Sequence, residues 1–188
     1  MKFNAILFDL VGTTVIEKPN TIIGAFERAF AKNNVRVDKD FHAAHRGRGK
    51  KEIIESLYKT HGIPAETTVK VYDDFKSEIE SAITDFSAAV GAEEVFLFIR
   101  NKGIMIGIGT GLPRSIFDSM IKQLNWKSSM FDYIGIAEEI GSGRPEPEMI
   151  FDMMRKLGTT DAGAFLKVGD TQADIREGKN AGVRTAVV

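Results

Sequence analysis

The stretch Ala5-Ile6-Leu7-Phe8-Asp9-Leu10-Val11-Gly12-Thr13-Thr14 sets a short apolar run directly before an aspartate and a small, flexible turn. A run apolar on both faces suits a strand buried between helix layers of a parallel sheet. Asp9 then lies at the carboxyl end of that strand. By itself it reads equally well as a turn or helix-cap aspartate and as a functional carboxylate.

Three further runs repeat the pattern outward from this one, at 104–108, 133–136 and 165–168, and a fifth at 184–188 closes the chain. The spacing predicts strands near 4–8, 104–109, 133–136 and 165–168. Helical spacing lies between them, as in Ile116, Met120, Ile121 and Leu124, or Ile150, Met153, Met154 and Leu157. Alternating β and α units predict a Rossmann-like, doubly wound α/β core with a parallel sheet.

Residues 20–84 break this rhythm. They hold no strand-like run, but show the helical patterns Ile53-Ile54-Leu57-Tyr58 and Val69-Val71-Tyr72-Phe75-Ile79, separated by Gly62-Ile63-Pro64. We read an all-helical cap inserted after the first strand, above the strand ends where open α/β sheets bind ligands. The expected division is a core of 1–15 and 85–188 with a cap of 16–84. A parallel strand ending at Val188 is normally covered by another helix, so a further C-terminal piece is expected beyond it.

With 188 residues, 43% hydrophobic and 27% charged, the chain has the composition of a globular protein with one good core. A formal charge of −1 gives no electrostatic case for nucleic acid or an anionic membrane as partner. The absence of cysteine removes disulfides, thiolate nucleophiles and thiolate metal sites. The start MKFNAILFDL is broken too early by Asp9 for a signal peptide, and no run approaches the ~18 apolar residues of a membrane span. The cytoplasm is the default expectation.

Three segments change the weight given to Asp9. Thr110, in IGIGTGLPRS, offers a hydroxyl and, with Gly111, backbone N–H groups at a strand end leading into a helix, a good phosphate cradle. A dinucleotide fingerprint fits poorly there, because Leu112 stands where its third glycine belongs. Arg144, in GSGRPEPEM, supplies a fixed cation that can neutralise a phosphoryl group. Asp170 and Asp174, in VGDTQADIREGKNAG, offer the carboxylates that a hard cation such as Mg2+ takes. Asp174 reads either as support for the site or as a first-turn helix acid.

In this order, Asp9, Thr110, Arg144 and Asp170 make the chain resemble the haloacid dehalogenase superfamily, over its whole length apart from the expected tail. The resemblance implies an aspartate nucleophile at Asp9, phosphoryl contacts from Thr110, Gly111 and Arg144, and Mg2+ held by Asp9, Asp170 and the Val11 carbonyl, with Asp174 supporting. It also implies a small phosphorylated or phosphonate substrate and an aspartyl-phosphate intermediate. A homodimer is compatible with it.

Val11 departs from the common phosphatase pattern, which carries a second aspartate there as general acid and base. Such help contributes about 10²–10⁴-fold in rate, or roughly 3–5 kcal/mol of barrier. The chain looks most like the phosphonoacetaldehyde hydrolase (phosphonatase) branch, which has a small apolar residue at this position, Arg-Pro as in Arg144-Pro145, and the pattern GDTxxDxxEGxNAG seen from Gly169 to Gly182. There a cap lysine forms a Schiff base with an aldehyde, so that carbon leaves as an enamine and needs no alkoxide acid. Gly47 and Lys50 reproduce the spacing of that lysine, with Lys51 as fallback; an exposed lysine pair at a helix start is the bland reading. Arg46 and the Glu52-Ile53 pair depart from the rest of the branch's cap pattern, which leaves the substrate open.

A metal-free dehalogenase, a phosphomonoester phosphatase and a non-catalytic phospho-ligand-binding domain are the alternatives. Asp170 with Asp174 speaks against the first, and four polar groups at strand ends against the last. His42, His45 and His61 form no ligand cluster with the acidic motifs and read as ordinary cap residues. Arg46 and Arg48 read as substrate contacts or as a solvated face. Trp126 and the phenylalanines of Phe96-Leu97-Phe98-Ile99-Arg100 read as core.

Overall fold

The computed structural model describes residues 3–37, 41 and 45–188; His42 and the side chain of Tyr58 lie outside them. Five parallel strands form the central sheet: β1 (Ala5–Asp9), β4 (Met105–Thr110), β5 (Tyr133–Ile136), β6 (Phe165–Gly169) and β7 (Arg184–Val187). Their spatial order is β5-β4-β1-β6-β7, so β1 is central and its end at Asp9 is flanked by those of β4 and β6. The expected α/β class with a parallel sheet is the observed one.

Period-two alternation of side chains divides the core into two layers. Ile6 and Phe8 of β1 pack on one face with Ile106, Ile108 and the inner faces of α4 (Ala92–Asn101) and α5 (Arg114–Gln123). Ala5 and Leu7 point the other way, against Met149, Ile150 and Met153 of α7 (Glu148–Lys156) and against Phe165. A four-residue α6 (Ala137–Ile140) follows β5, and α8 (Gln172–Asn180) links β6 to β7.

Between β1 and β4 rise the helices α1 (Thr21–Lys32), α2 (Lys50–Thr60) and α3 (Ala65–Ser81). They share an aromatic seam in which Phe26 stacks on Phe75 with ring centroids 4.3 Å apart. The sequence reading missed the base of this unit. Val15–Glu17 (β2) pairs antiparallel with Phe86–Ala88 (β3), a two-stranded ribbon through which the chain leaves the core and returns.

Two expectations about burial are corrected. Val69 is exposed, because the buried stripe of α3 runs through Thr68, Val71, Phe75 and Ile79. Phe98 is 62% exposed, whereas Phe96 and Ile99, one turn face apart from it, are buried; Trp126 is core as expected. Helical periodicity cannot place all of a continuous apolar run on one face. None of the described helices is long and apolar enough to cross a membrane.

Candidate active site

Asp9 closes β1, Thr110 closes β4 and Asp170 directly follows β6, so three strand ends bring these side chains to one edge of the sheet. Arg144 reaches the same point from the loop before α7. It is 3% exposed, and its Nη1 donates to Oδ1 of Asp9 and, at 2.6 Å, to Oδ1 of Asp174. A guanidinium this deeply buried needs such carboxylate partners.

The turn after β1 is tightly built. Leu10 carbonyl accepts the N–H groups of Thr14 and Val15, the Thr14 hydroxyl caps the carbonyls of Asp9 and Leu10, and Gly12 N–H donates to Val15 carbonyl. The carbonyl of Val11 accepts no hydrogen bond among the described residues. Gly12 holds φ at +102°, and a Cβ there would lie 2.5 Å from Asp170 Oδ2. Only glycine lets the turn approach that carboxylate so closely.

Asp174 stands in the first turn of α8 and is fully buried. Thr171 Oγ1 donates to its Oδ2 at 2.5 Å, while Arg144 and Lys167 engage its Oδ1. Burial acts against its charge, but Arg144 and Lys167 outweigh that and hold the carboxyl far below the usual range. Asp170 behaves oppositely: burial, then the charges of Asp9 and Asp174, push its carboxyl up. Its Oδ1 is buried with no hydrogen-bond partner among the described residues. Oxygens of Asp9, Asp170 and Asp174 come within 4.8 Å of one another. An all-oxygen set with an orphaned carboxylate oxygen and a free backbone carbonyl fits a hard divalent cation.

Thr110 is buried beside this cluster, but it makes no hydrogen bond to Asp9. Its Oγ1 accepts the N–H of Leu112 at 3.1 Å, which ties the turn and leaves the hydroxyl proton free to donate.

The cap closes over these groups. Lys50 N–H donates to Gly111 carbonyl at 2.8 Å, Arg46 reaches Asp170 at 3.1 Å, and the Tyr72 hydroxyl donates to Glu138. Gly111 is required for this contact, since a Cβ there would meet Arg48 carbonyl at 2.5 Å. Cap and core enclose a cavity of about 620 Å³ lined by Asp9, Thr110, Arg144, Asp170, Lys50 and Glu17, among others.

Lys50, the first residue of α2, is partly buried and its Nζ donates to Arg48 carbonyl at 3.1 Å. Burial, followed by the Arg144 charge, lowers its ammonium from 10.5 to about 8. Lys51 is exposed and lines a second crevice beside Glu55 and Glu138, which Lys50 also borders, but it does not line the cavity of Asp9. Competitive acylation of Lys50, followed by mass spectrometry against pH, is expected to titrate with a midpoint near 8. A midpoint above about 10, the ordinary lysine value, would contradict that environment.

Of the residues picked out in the sequence, Asp9, Val11, Lys50, Thr110, Gly111, Arg144 and Asp170 all line this one cavity. Asp174 stands behind it. His45 lines it as well, with Nδ1 2.7 Å from Phe41 carbonyl. His61 packs edge-on to Phe41, away from the acidic cluster. Arg48 pairs with Glu52 rather than entering the cavity. Sequence reasoning matched Glu177 within the Gly169–Gly182 pattern without giving it a role, and missed Glu17 and Lys167. A lysine inside the apolar run of β6, with acids three apart on the next helix, was the available signal for Lys167.

A family profile described as haloacid dehalogenase-like hydrolase matches residues 6–188. The chain belongs to that family. This hydrolase is 27% identical over 201 residues to a phosphonoacetaldehyde hydrolase of Bacillus cereus, an alignment covering 100% of this chain and 76% of that protein. Its fold is shared with a phosphonoacetaldehyde hydrolase-like protein from Oleispira antarctica, at a TM-score of 0.84 and 22% identity, covering 100% of this chain and 73% of that one. A hydrolase from Pseudomonas syringae superposes with a TM-score of 0.85 at 18% identity, over 98% of this chain and 84% of that one.

Proposed function

We propose that this hydrolase is a Mg2+-dependent phosphonatase-like enzyme that transfers a phosphoryl group from a small phosphonate or phosphate substrate to Asp9. With an aldehyde-bearing phosphonate such as phosphonoacetaldehyde, Lys50 forms a Schiff base that lets the C–P bond break. The carrying observation is that the depressed Lys50 amine shares the cavity of Asp9 and Arg144, while Val11 offers no acid for a leaving alkoxide.

At pH 7 an amine of pKa about 8 is neutral about one time in ten, against about one in three thousand for an ordinary lysine. The neutral amine attacks the aldehyde carbon, and with uptake of one proton water leaves, giving a protonated imine. As the C–P bond breaks, its electron pair moves into the imine to form an enamine, and an Asp9 oxygen bonds to phosphorus. Arg144 holds one oxygen of Asp9 and places positive charge beside the transferring group. Thr110 hydroxyl and Gly111 N–H are the neutral donors to phosphoryl oxygens. Water then hydrolyses the aspartyl-phosphate and, after protonation of the enamine carbon, the imine.

Asp9, Asp170 and the Val11 carbonyl would hold Mg2+, with Asp174 fixing Arg144 behind them. Bound Mg2+ supplies charge neutralisation between the carboxylates and the phosphoryl oxygens. Calorimetry on Asp170→Ala is expected to show Mg2+ affinity lost by about 10-fold or more, since a carboxylate ligand is removed; unchanged affinity would refute the assignment.

The function itself is tested by phosphate release. The parent is expected to release inorganic phosphate from phosphonoacetaldehyde, and Lys50→Arg to abolish it, because a guanidinium forms no imine. Good hydrolysis of phosphomonoesters by a parent that leaves phosphonoacetaldehyde intact would contradict the reading.

A further inference from the structure

Imine formation requires a proton to leave Lys50 and a proton to reach the departing water, and among the described residues α2 brings only Lys50 and Ile53 to the cavity of Asp9. Ile53, one turn after Lys50, is apolar and 2% exposed. Asp9 and Asp170 belong to the phosphoryl and metal groups, and Arg144 does not titrate. Two carboxylates remain in the cavity, Glu17 and Glu27, and of these Glu17, at the end of β2 where the chain enters the cap, acts on the Lys50 charge. Its Oε2 accepts Ile22 N–H at 2.8 Å, which fixes the carboxyl and leaves Oε1 unbound among the described residues.

We propose that Glu17 is a further catalytic residue, the carboxylate that carries the proton between the Lys50 amine and the substrate carbonyl oxygen during imine formation. This rests on the Schiff-base reading above. The steps balance without another reactant. Glu17 carboxylate takes a proton from the Lys50 ammonium, leaving a neutral amine and a carboxylic acid. The nitrogen bonds to the aldehyde carbon, the carbonyl pair moves to oxygen, and a proton passes from nitrogen to that oxygen to give the carbinolamine. Glu17 then protonates the hydroxyl, the C–O bond breaks, and water departs as the nitrogen lone pair forms the iminium. The carboxylate is regenerated.

The charges acting on the Glu17 carboxyl are those of Lys50 and Arg46, from α2 and the cap loop, and of Asp170 from the core, and Glu27 and His45 line the same cavity. Burial raises the Glu17 carboxyl, and the Ile22 N–H with the two cations opposes the rise. Burial lowers Lys50 in the same cavity. The two groups are thus moved toward each other, which lowers the cost of passing a proton between them.

Rapid-quench borohydride trapping of the enzyme with phosphonoacetaldehyde, read by mass spectrometry, tests this. Glu17→Gln keeps an acceptor for Ile22 N–H but cannot carry a proton. It is expected to slow adduct formation about a hundredfold, the low end of general acid–base help, while beryllium fluoride still raises its melting temperature as in the parent. Glu17→Asp is expected to recover part of the rate. Trapping by Glu17→Gln at the parental rate would overturn the proposal, as would Glu17→Asp trapping no faster than Glu17→Gln, or a loss confined to His45→Gln. If the parent forms no adduct, the Schiff-base reading falls and Glu17 with it; if parent and Glu17→Gln trap alike, Glu17 alone falls.

Discussion

Asp9→Asn is expected to lower phosphate release by on the order of 10⁴–10⁶-fold, the scale seen when a covalent nucleophile is removed. The fold should survive, because asparagine is isosteric and Arg144 keeps Asp174 as a charged partner. Two readouts separate chemistry from structure. Melting temperature is expected to stay close to that of the parent, and the aspartyl-phosphate mimic beryllium fluoride should no longer raise it through linkage. Parental turnover, or full stabilisation by beryllium fluoride, would remove Asp9 from the nucleophile's role.

The second large effect concerns stability. Lys167 is fully buried in β6, with Nζ 2.8 Å from Asp174 and 3.2 Å from Glu177, both also fully buried. Lys167→Met retains the length and apolar stem but removes the cation beside Glu177 and leaves Asp174 with the Arg144 cation. Removing one partner of a buried ion pair costs about 3–5 kcal/mol, which for a chain of this size lowers the melting temperature by roughly 10 °C. Burial already raises the Glu177 carboxyl above its ordinary value. A raised acid binds its proton more readily in the folded state, so the deficit in Lys167→Met should shrink as pH falls toward the Glu177 range. Adding Glu177→Gln should restore part of the loss. Thermal denaturation showing Lys167→Met within about 1 °C of the parent would mean that this cluster contributes little.

The strands were legible because burial on both faces leaves continuous apolar runs. The predicted 133–136 coincides with Tyr133–Ile136, and the predicted 104–109 lies one residue from Met105–Thr110. Asp9, Thr110 and Asp170 were legible for the same reason, since each ends or follows such a run and parallel strands end together. What the sequence hid depends on distance in three dimensions. The ribbon of Val15–Glu17 with Phe86–Ala88 is three residues deep, too short for any periodicity, and its strands lie far apart in the chain. Its concealment also hid Glu17. The run 165–168 was legible as a buried strand, but the partners of its Lys167, Asp174 and Glu177, were not, because they come together only when α8 packs on β6. The spacing from Gly47 favoured Lys50 with Lys51 as fallback, and the structure puts Lys50 and not Lys51 in the cavity, because adjacent residues at a helix start point about 100° apart.

The covalent state of Lys50 during turnover decides whether this hydrolase works as a phosphonatase. Borohydride reduction of the enzyme turning over phosphonoacetaldehyde, followed by peptide mapping, is expected to place a reduced adduct on Lys50 and none on Lys51, with trapping lost in Lys50→Arg. Cleavage of phosphonoacetaldehyde without any lysine adduct, or an adduct carried by Lys51, would contradict it.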